Sequence, residues 1–338
     1  MIAHRFCDKS KWLPNAYNQG FTFVDVAAKE DNNYTLIEML SRKYQHSSKK
    51  IWMERISTKR IFVNGKLAFP GLIIKENDTI EWERPSWEEE SVPAWWDILY
   101  DNGDILIINK PSGLPVTPGG GFMKHTLLEL MRAKSYERKE TLIPKPIHRL
   151  GRFTSGIIIC AREKETRARL SSLIRNSSKE NSQFLRVYRA RTKPNEILVL
   201  NQSIMIKEPI CQIKHKILGK VWSTINSENE SSLSKVKQLS AITKIKVLEK
   251  SSEGDLVEVI IFTGRPHQIR IHLAYIGTPL RGDKLYLGSG RVSESNRPGE
   301  GGYFLHAHKI INLPISGCEK SFEAPLPKEL KRIKSFET

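Results

Sequence analysis

His148-Arg149-Leu150-Gly151-Arg152-Phe153-Thr154-Ser155-Gly156 runs directly into Ile157-Ile158-Ile159-Cys160-Ala161, a β-type apolar run. Glu163 to Ile174 follows as a helix, with Ala168, Leu170 and Leu173 on its apolar side. An arginine-bearing turn is thus anchored to a strand and a helix. At its centre Gly151 has no side chain, so it cannot act as nucleophile, acid or base.

Five further blocks occur in a fixed order around this stretch. They are Asp104-Ile105-Leu106-Ile107-Ile108-Asn109-Lys110-Pro111-Ser112-Gly113-Leu114-Pro115-Val116, Arg186-Val187-Tyr188-Arg189-Ala190, Thr263-Gly264-Arg265-Pro266-His267-Gln268-Ile269-Arg270-Ile271-His272-Leu273, Arg281-Gly282-Asp283-Lys284-Leu285-Tyr286, and Leu305-His306-Ala307 closing at Ala324-Pro325. Together they resemble the motifs of the RluA-type RNA pseudouridine synthases: H-R-L-D-x-x-T-S-G, the "NKPxGLPV" turn, K-x-Y-x-A, T-G-R-T-H-Q-I-R-V-H-L, G-D-x-x-Y and the final "LHA". The matches cover most of residues 96–330. Among its departures from these motifs, Arg186 replaces a lysine, and Gly151 replaces the catalytic aspartate.

The resemblance implies an enzyme that breaks the bond between ribose and the uracil nitrogen, turns the base and rejoins it through carbon five. That reaction needs no metal and no cofactor. The target base must leave its stack, at a cost of roughly a few kcal/mol. By resemblance Arg149 is the wedge that fills the vacated space, with His148 beside it, and Tyr188 stacks on the flipped base. Both Tyr188 and Arg149 are expected to be dispensable for folding. Arg270 corresponds to the basic partner of the catalytic carboxylate, and Arg152, Thr154, Arg265, His267 and Gln268 complete the expected RNA contacts. With glycine at 151, Arg270 is expected to lack its anionic partner, and a buried unpaired cation must shift, hydrate or find another carboxylate. Asp283 is read as bracing its own turn. An aspartate restored at 151 is expected beside Arg270, with a positive-φ backbone as the main hazard.

At 338 residues the chain can hold two domains and a sizeable core. The net charge of +17 is the electrostatic footprint of a nucleic-acid binder, although basic charge also serves solubility. Cys7, Cys160, Cys211 and Cys318 form no C-x-x-C pair, which argues against a zinc site and a disulfide framework. No apolar run approaches membrane-spanning length, and the first residues lack a secretory core. A monomer in the cytoplasm is expected, with an organelle as the alternative compartment.

Residues 1–20 read as an irregular arm broken by Pro14, Asn15 and Gly20. Thr35 to Arg60 is helical in pattern, and Asn64-Gly65 between β-prone runs predicts a type I′ hairpin. Two helices and a "VNG" hairpin over residues 21–85 resemble the small α/β RNA-binding domain shared with a ribosomal small-subunit protein (S-four-like). Arg42, Lys43, Lys49, Lys50, Arg55, Lys59, Arg60 and Lys66 face only Glu38 and Glu54 in that window. They read as a phosphate-binding cluster or as a solvated helix face. Residues 86–96, acidic at Glu88, Glu89 and Glu90, read as a linker. Ile242–Leu248 and Leu256–Phe262 alternate like paired strands, Pro266 and Gly277 bracket a short helix, and Asn226–Ser232 reads as a surface loop.

The expected architecture is α+β. A pseudouridine synthase fold, mainly an antiparallel mixed sheet with flanking helices, spans 97–332 behind the small RNA-binding domain. Three functions fit the sequence. The chain is an active synthase on ribosomal or transfer RNA with a substituted catalytic group, a silent synthase fold that binds or chaperones RNA, or a scaffold recruited by its small domain. The flipping and stacking positions count against the third.

Overall fold

The computed structural model describes residues 10–176, 184–225, 236–315 and 317–332; the expected loop at Asn226–Ser232 lies outside them. In chain order the first part runs β1 (Trp12–Leu13), β2 (Ala16–Tyr17), β3 (Phe21–Val26), α1 (Leu36–Lys43), α2 (Lys49–Ser57), β4 (Ile61–Val63), β5 (Lys66–Leu67), β6 (Thr79–Arg84), β7 (Glu88–Glu89) and β8 (Val92–Pro93). It continues with β9 (Asp97–Asp101), β10 (Ile105–Lys110), α3 (Leu127–Glu137), β11 (Lys145–Pro146), β12 (Thr154–Ala161), α4 (Lys164–Asn176), β13 (Leu185–Arg191) and β14 (Ser203–Ile206). The last part is β15 (Cys211–His215), β16 (Gly219–Ser223), β17 (Thr243–Glu249), β18 (Leu256–Ile261), α5 (Gln268–Tyr275), β19 (Leu305–Ile315) and β20 (Cys318–Glu323).

The chain forms two compact units. The smaller holds Asn15–Glu89 and Lys214–Val221, and the larger holds the rest. In the smaller unit a four-stranded sheet, ordered β3-β6-β4-β5, packs its apolar face with α1 and α2. Thr35 and Glu38 close a reciprocal capping box on α1, and the Ser48 hydroxyl accepts a backbone N–H to start α2. Asn64 (φ 50°) and Gly65 (φ 73°) make the β4–β5 turn with both central residues left-handed, as the hairpin signal required.

Two readings of the N-terminal region are corrected. The described part of the arm, residues 10–20, is not irregular, because β1 pairs with β8 and β2 pairs with β7. For the same reason 86–96 is not a loose linker. Glu89 is buried and accepts a hydrogen bond from the Asn18 amide at 2.7 Å, so an acidic run that looked solvated is partly structural.

The larger unit is built on a ten-stranded sheet whose path is β14-β17-β18-β13-β19-β12-β10-β9, with β11 on β12 and β20 on β19. It is mainly antiparallel; β12 and β19 run parallel. Alternation along the central strands sorts side chains between two layers. Leu106, Ile108, Ile158 and Cys160 pack with Leu127 and Met131 of α3, whereas Ile105, Ile107, Ile157 and Ile159 pack with Leu170 of α4. Each fully buried isoleucine stabilises the fold by roughly 1.5–3 kcal/mol. That rigid centre fixes the start of β12, where the arginine-bearing turn ends. At that point Gly156 (φ 105°) lies against the Ala307 backbone of β19, leaving no room for a β-carbon.

Candidate active site

The turn between β11 and β12 is held by the loop that leaves β10. Lys110, wholly buried, donates from Nζ to the carbonyls of Pro111 and Leu114 at 2.8 Å each and of Arg152 at 3.2 Å. Burial, reinforced by the Arg152 charge, pulls the Lys110 ammonium down to about 7. The Gly113 N–H also donates to Arg152 O at 2.9 Å, and the Ser112 hydroxyl to Phe153 O at 2.9 Å. The lysine of the "NKP" block was therefore a missed positioning residue. Its only signal in the sequence was a charge at the end of a run that reads as a buried strand.

Gly151 starts a tight turn in which the Thr154 N–H donates to its carbonyl at 3.0 Å. Its backbone lies outside the left-handed region, so the anticipated hazard of a positive φ is absent. The obstacle is a side chain. A β-carbon on residue 151 would collide with the phenol oxygen of Tyr303, while the next ring carbon, Cζ, would stand at an ordinary 3.6 Å. Tyr303 comes from the segment entering β19 and is 3 % exposed. Its oxygen accepts a hydrogen bond from Thr154 Oγ1 at 3.3 Å, and Phe153 meets its ring edge-on with centroids 6.1 Å apart. Sequence motifs gave no hint of this residue, because it is distant in sequence from the gap it fills.

Arg270, on α5, does not lack an anion. Its Nε and Nη2 donate to the two oxygens of Asp283 at 2.6 and 2.8 Å, and Nη1 donates to Pro298 O at 3.0 Å. The expectation of an unpartnered cation is thus overturned, since a turn thirteen residues downstream supplies the carboxylate. Asp283 also accepts the N–H groups of Leu285 and Tyr286 at 3.0 Å, so it braces its own turn as read. The guanidinium lies against two rings, 4.2 Å from the Tyr303 centroid and 4.8 Å from that of Tyr286. Burial opposes its charge, but Tyr303 and then the Asp283 carboxylate hold the guanidinium above the ordinary arginine value. Tyr303 therefore touches both the bare position 151 and Arg270, which joins two separately read motifs into one site.

The other expected residues divide by environment. Gln268 is 3 % exposed and its amide is engaged internally, with Thr263, Thr243, Ile242 and Arg265. The Tyr286 hydroxyl donates its one proton to Trp222 O, so His267 Nδ1 must carry the proton of their 2.7 Å bond. Burial, then the Arg270 and Arg149 charges, lower His267 to about 3, which keeps the ring neutral. His267 sits left-handed (φ 55°) as the cap of α5, so Pro266 precedes the cap instead of opening the helix; Gly277 (φ 81°) closes it as expected.

His148 Nε2 accepts the Ile159 N–H at 3.1 Å, and burial together with Arg186 lowers it to about 4. His148, Arg186 and Tyr188 line one small cavity with Ile157, Phe184 and Lys309. Tyr188 lies on β13, only 9 % exposed, in the same apolar cluster as Tyr303, Leu150 and Phe153. Burial raises its phenol, with Arg186 opposing. Arg149 is exposed. Arg152 is bound to Glu90 at 2.8 Å and to Gly113 O at 3.1 Å, and Arg265 donates to Ser240 O at 2.8 Å.

In the smaller unit Arg42 and Lys43 are also partnered. Arg42 binds the buried Asp31 at 2.8 Å, and Lys43 binds Asp25 at 2.7 Å and Asp31 at 3.0 Å. The acids lie just outside the window in which only two acidic residues had been counted. Arg55 is packed between Trp52 (4.4 Å) and Trp82 (4.0 Å). Lys49, Lys50, Lys59, Arg60 and Lys66 are exposed.

This fold and this set of residues belong to a known class. Residues 104–275 match the family model described as RNA pseudouridylate synthase. The chain is 36 % identical to an uncharacterized RNA pseudouridine synthase of Synechocystis sp., over 87 % of its own length and 95 % of the relative's. It is 31 % identical to RNA pseudouridine synthase 5 of Oryza sativa subsp. japonica, over 92 % and 88 %. It is 29 % identical to the ribosomal large subunit pseudouridine synthase D of Neisseria meningitidis serogroup B, over 75 % and 64 %. Among solved structures, human RNA pseudouridylate synthase domain containing 1 shares the fold with a TM-score of 0.50 at 21 % identity, over 70 % of this chain and 86 % of that one. The chain belongs to the RNA pseudouridylate synthase family, and its function is the isomerisation of uridine to pseudouridine in RNA. Among the described residues no helix is long and apolar enough to cross a membrane.

Proposed function

We propose that this polypeptide is itself catalytically competent, without an aspartate at position 151, and acts on a uridine in structured RNA. The observation that carries this reading is the Arg270–Asp283 pair, whose guanidinium lies against Tyr286 and Tyr303, the second of which also reaches the bare position 151. A buried ion pair costs several kcal/mol per ion to desolvate, and replacing it by apolar residues is often neutral or stabilising. Its retention against Tyr303, the residue that fills the bare position, supports a working site. Arg149, exposed on the turn, is assigned the wedge that replaces the flipped base, and Tyr188 the ring beneath that base. Lys49, Lys50, Lys59, Arg60 and Lys66 of the S-four-like unit are assigned to RNA phosphates. The name of the Neisseria relative makes ribosomal RNA the first substrate to try, with transfer RNA second.

One observation favours a silent RNA-binding protein instead: the space of the missing carboxylate is filled by a phenol. Incubating the purified chain with bulk RNA and quantifying pseudouridine by mass spectrometry decides between the two, with an established family member as positive control. Turnover is expected. Its absence on every RNA that the control modifies would defeat the proposal.

A further inference from the structure

We propose that Tyr303 is a catalytic residue of this enzyme, its phenol oxygen taking the place of the carboxylate that position 151 lacks. This rests on the reading that the chain turns over. The argument is one of exclusion in space. The phenol oxygen occupies the space that a β-carbon at 151 would need, and one of the two would have to shift, so the chain carries one oxygen-bearing side chain in place of another at the same locus. The oxygen keeps a working environment: the Thr154 hydroxyl donates to it at 3.3 Å, and the ring lies 4.2 Å from the Arg270 guanidinium carbon. Because Thr154 supplies that proton, the phenol's own proton points elsewhere.

The nearby carboxylates do not fit the role. Both oxygens of Asp283 are engaged by Arg270, one of them also by two backbone N–H groups, and its side chain has no exposure. Glu90 is largely exposed and tied to Arg152. Tyr303 is buried, with the half-buried Leu150 and Phe153 packed against its cluster, so contact with a flipped nucleoside requires those neighbours to move.

The step balances with this one group. The phenol oxygen adds to the ribose carbon C1′ as the C1′–N1 bond breaks; the bonding pair goes to N1, which takes the phenol proton. The freed uracil turns. Its C5=C6 electron pair attacks C1′, the C1′–O bond breaks, and its pair returns to the phenolate oxygen. The phenolate then removes the C5 proton, which restores the C5=C6 bond and the phenol. The substrate has gained a proton at N1 and lost one at C5, and nothing is oxidised or reduced.

The test compares the parent, Tyr303→Phe, Gly151→Asp and the double variant Gly151→Asp/Tyr303→Phe for pseudouridine formation, RNA affinity and thermal melting. Tyr303→Phe is expected to keep RNA affinity within about twofold and to lose about 100-fold or more in rate. Gly151→Asp alone collides with the phenol and stays poorly active. In the double variant the collision is removed and a carboxylate supplied, so the rate returns to within about tenfold of the parent. Should Tyr303→Phe melt early, Tyr303→3,5-difluorotyrosine keeps the ring while making the phenol more acidic. It is expected to move the pH–rate profile to lower pH, and an unmoved profile overturns the proposal. An active parent with an equally active Tyr303→Phe defeats the role of Tyr303 alone. An inert parent defeats the reading that the chain turns over, and an active double variant beside it would make Tyr303 a plug.

Discussion

The same residue types meet opposite fates in the two units. On α5 of the larger unit, the arginine, glutamine and histidines of the most recognisable motif are bound into the protein, to Asp283, Thr243, Thr263 and Tyr286. On and after α2 of the smaller unit, lysines and an arginine that belong to no motif stand in solvent. A family motif records what a fold needs in order to assemble its site, and much of that need is internal. Contact with a large polyanion asks only for exposed charge at a workable spacing. Motif strength and substrate contact are therefore separate properties, and substitutions can pull them apart.

The largest effect is expected at Asp283. Asp283→Ala leaves the Arg270 cation buried with the Pro298 carbonyl, and breaking such a pair costs about 3–5 kcal/mol. Chemical denaturation should show this loss; a loss under about 1 kcal/mol would mean that the pair is solvated in solution.

Lys110→Met strands the buried carbonyls of Pro111 and Leu114, while that of Arg152 keeps the Gly113 N–H, and should cost about 2–4 kcal/mol. The parent should also carry a pH signature. Below pH about 7 both folded and unfolded Lys110 hold the proton. Between there and the ordinary lysine value only the unfolded chain does, so raising the pH stabilises the fold. Melting temperatures of parent and variant should draw further apart as the pH rises; a constant gap would show that the folded lysine keeps its proton throughout.

Tyr188→Ala and Arg149→Ala sharpen the contrast within the site. Tyr188 is 9 % exposed in the core cluster, so the alanine variant should lose stability as well as base stacking, the latter worth about 1–3 kcal/mol. The expectation that Tyr188 is dispensable for folding is therefore replaced. Arg149 is exposed, and its alanine variant should melt like the parent while a fluorescent base analogue at the target reports less flipping. Equal melting of both variants would contradict this difference.

The smallest effects belong to the smaller unit. Lys59→Ala, Arg60→Ala and Lys66→Ala should each lower the slope of log affinity against log salt by about 0.7–0.9. Arg42→Ala, whose partner is Asp31, should leave the slope nearly unchanged and destabilise the unit by about 1 kcal/mol. If Arg42→Ala also changes the slope by a full contact, its pairing with Asp31 yields to RNA.

By itself the sequence determined the elements and the family. β12, α1, α2 and the Asn64-Gly65 hairpin were legible because periodicity, capping and turn chemistry act over a few residues. The order of the motif blocks was legible for the same reason. Only the tertiary structure decided what each charged or bare position faces. Arg42 and Lys43 found Asp31 and Asp25, the apparent linker found the N-terminal arm, Arg270 found Asp283, and Gly151 found Tyr303. The physical reason is that a partner is chosen by distance in space. Residues 151 and 303 meet because β12 and β19 lie side by side in one sheet, and no local pattern announces that pairing.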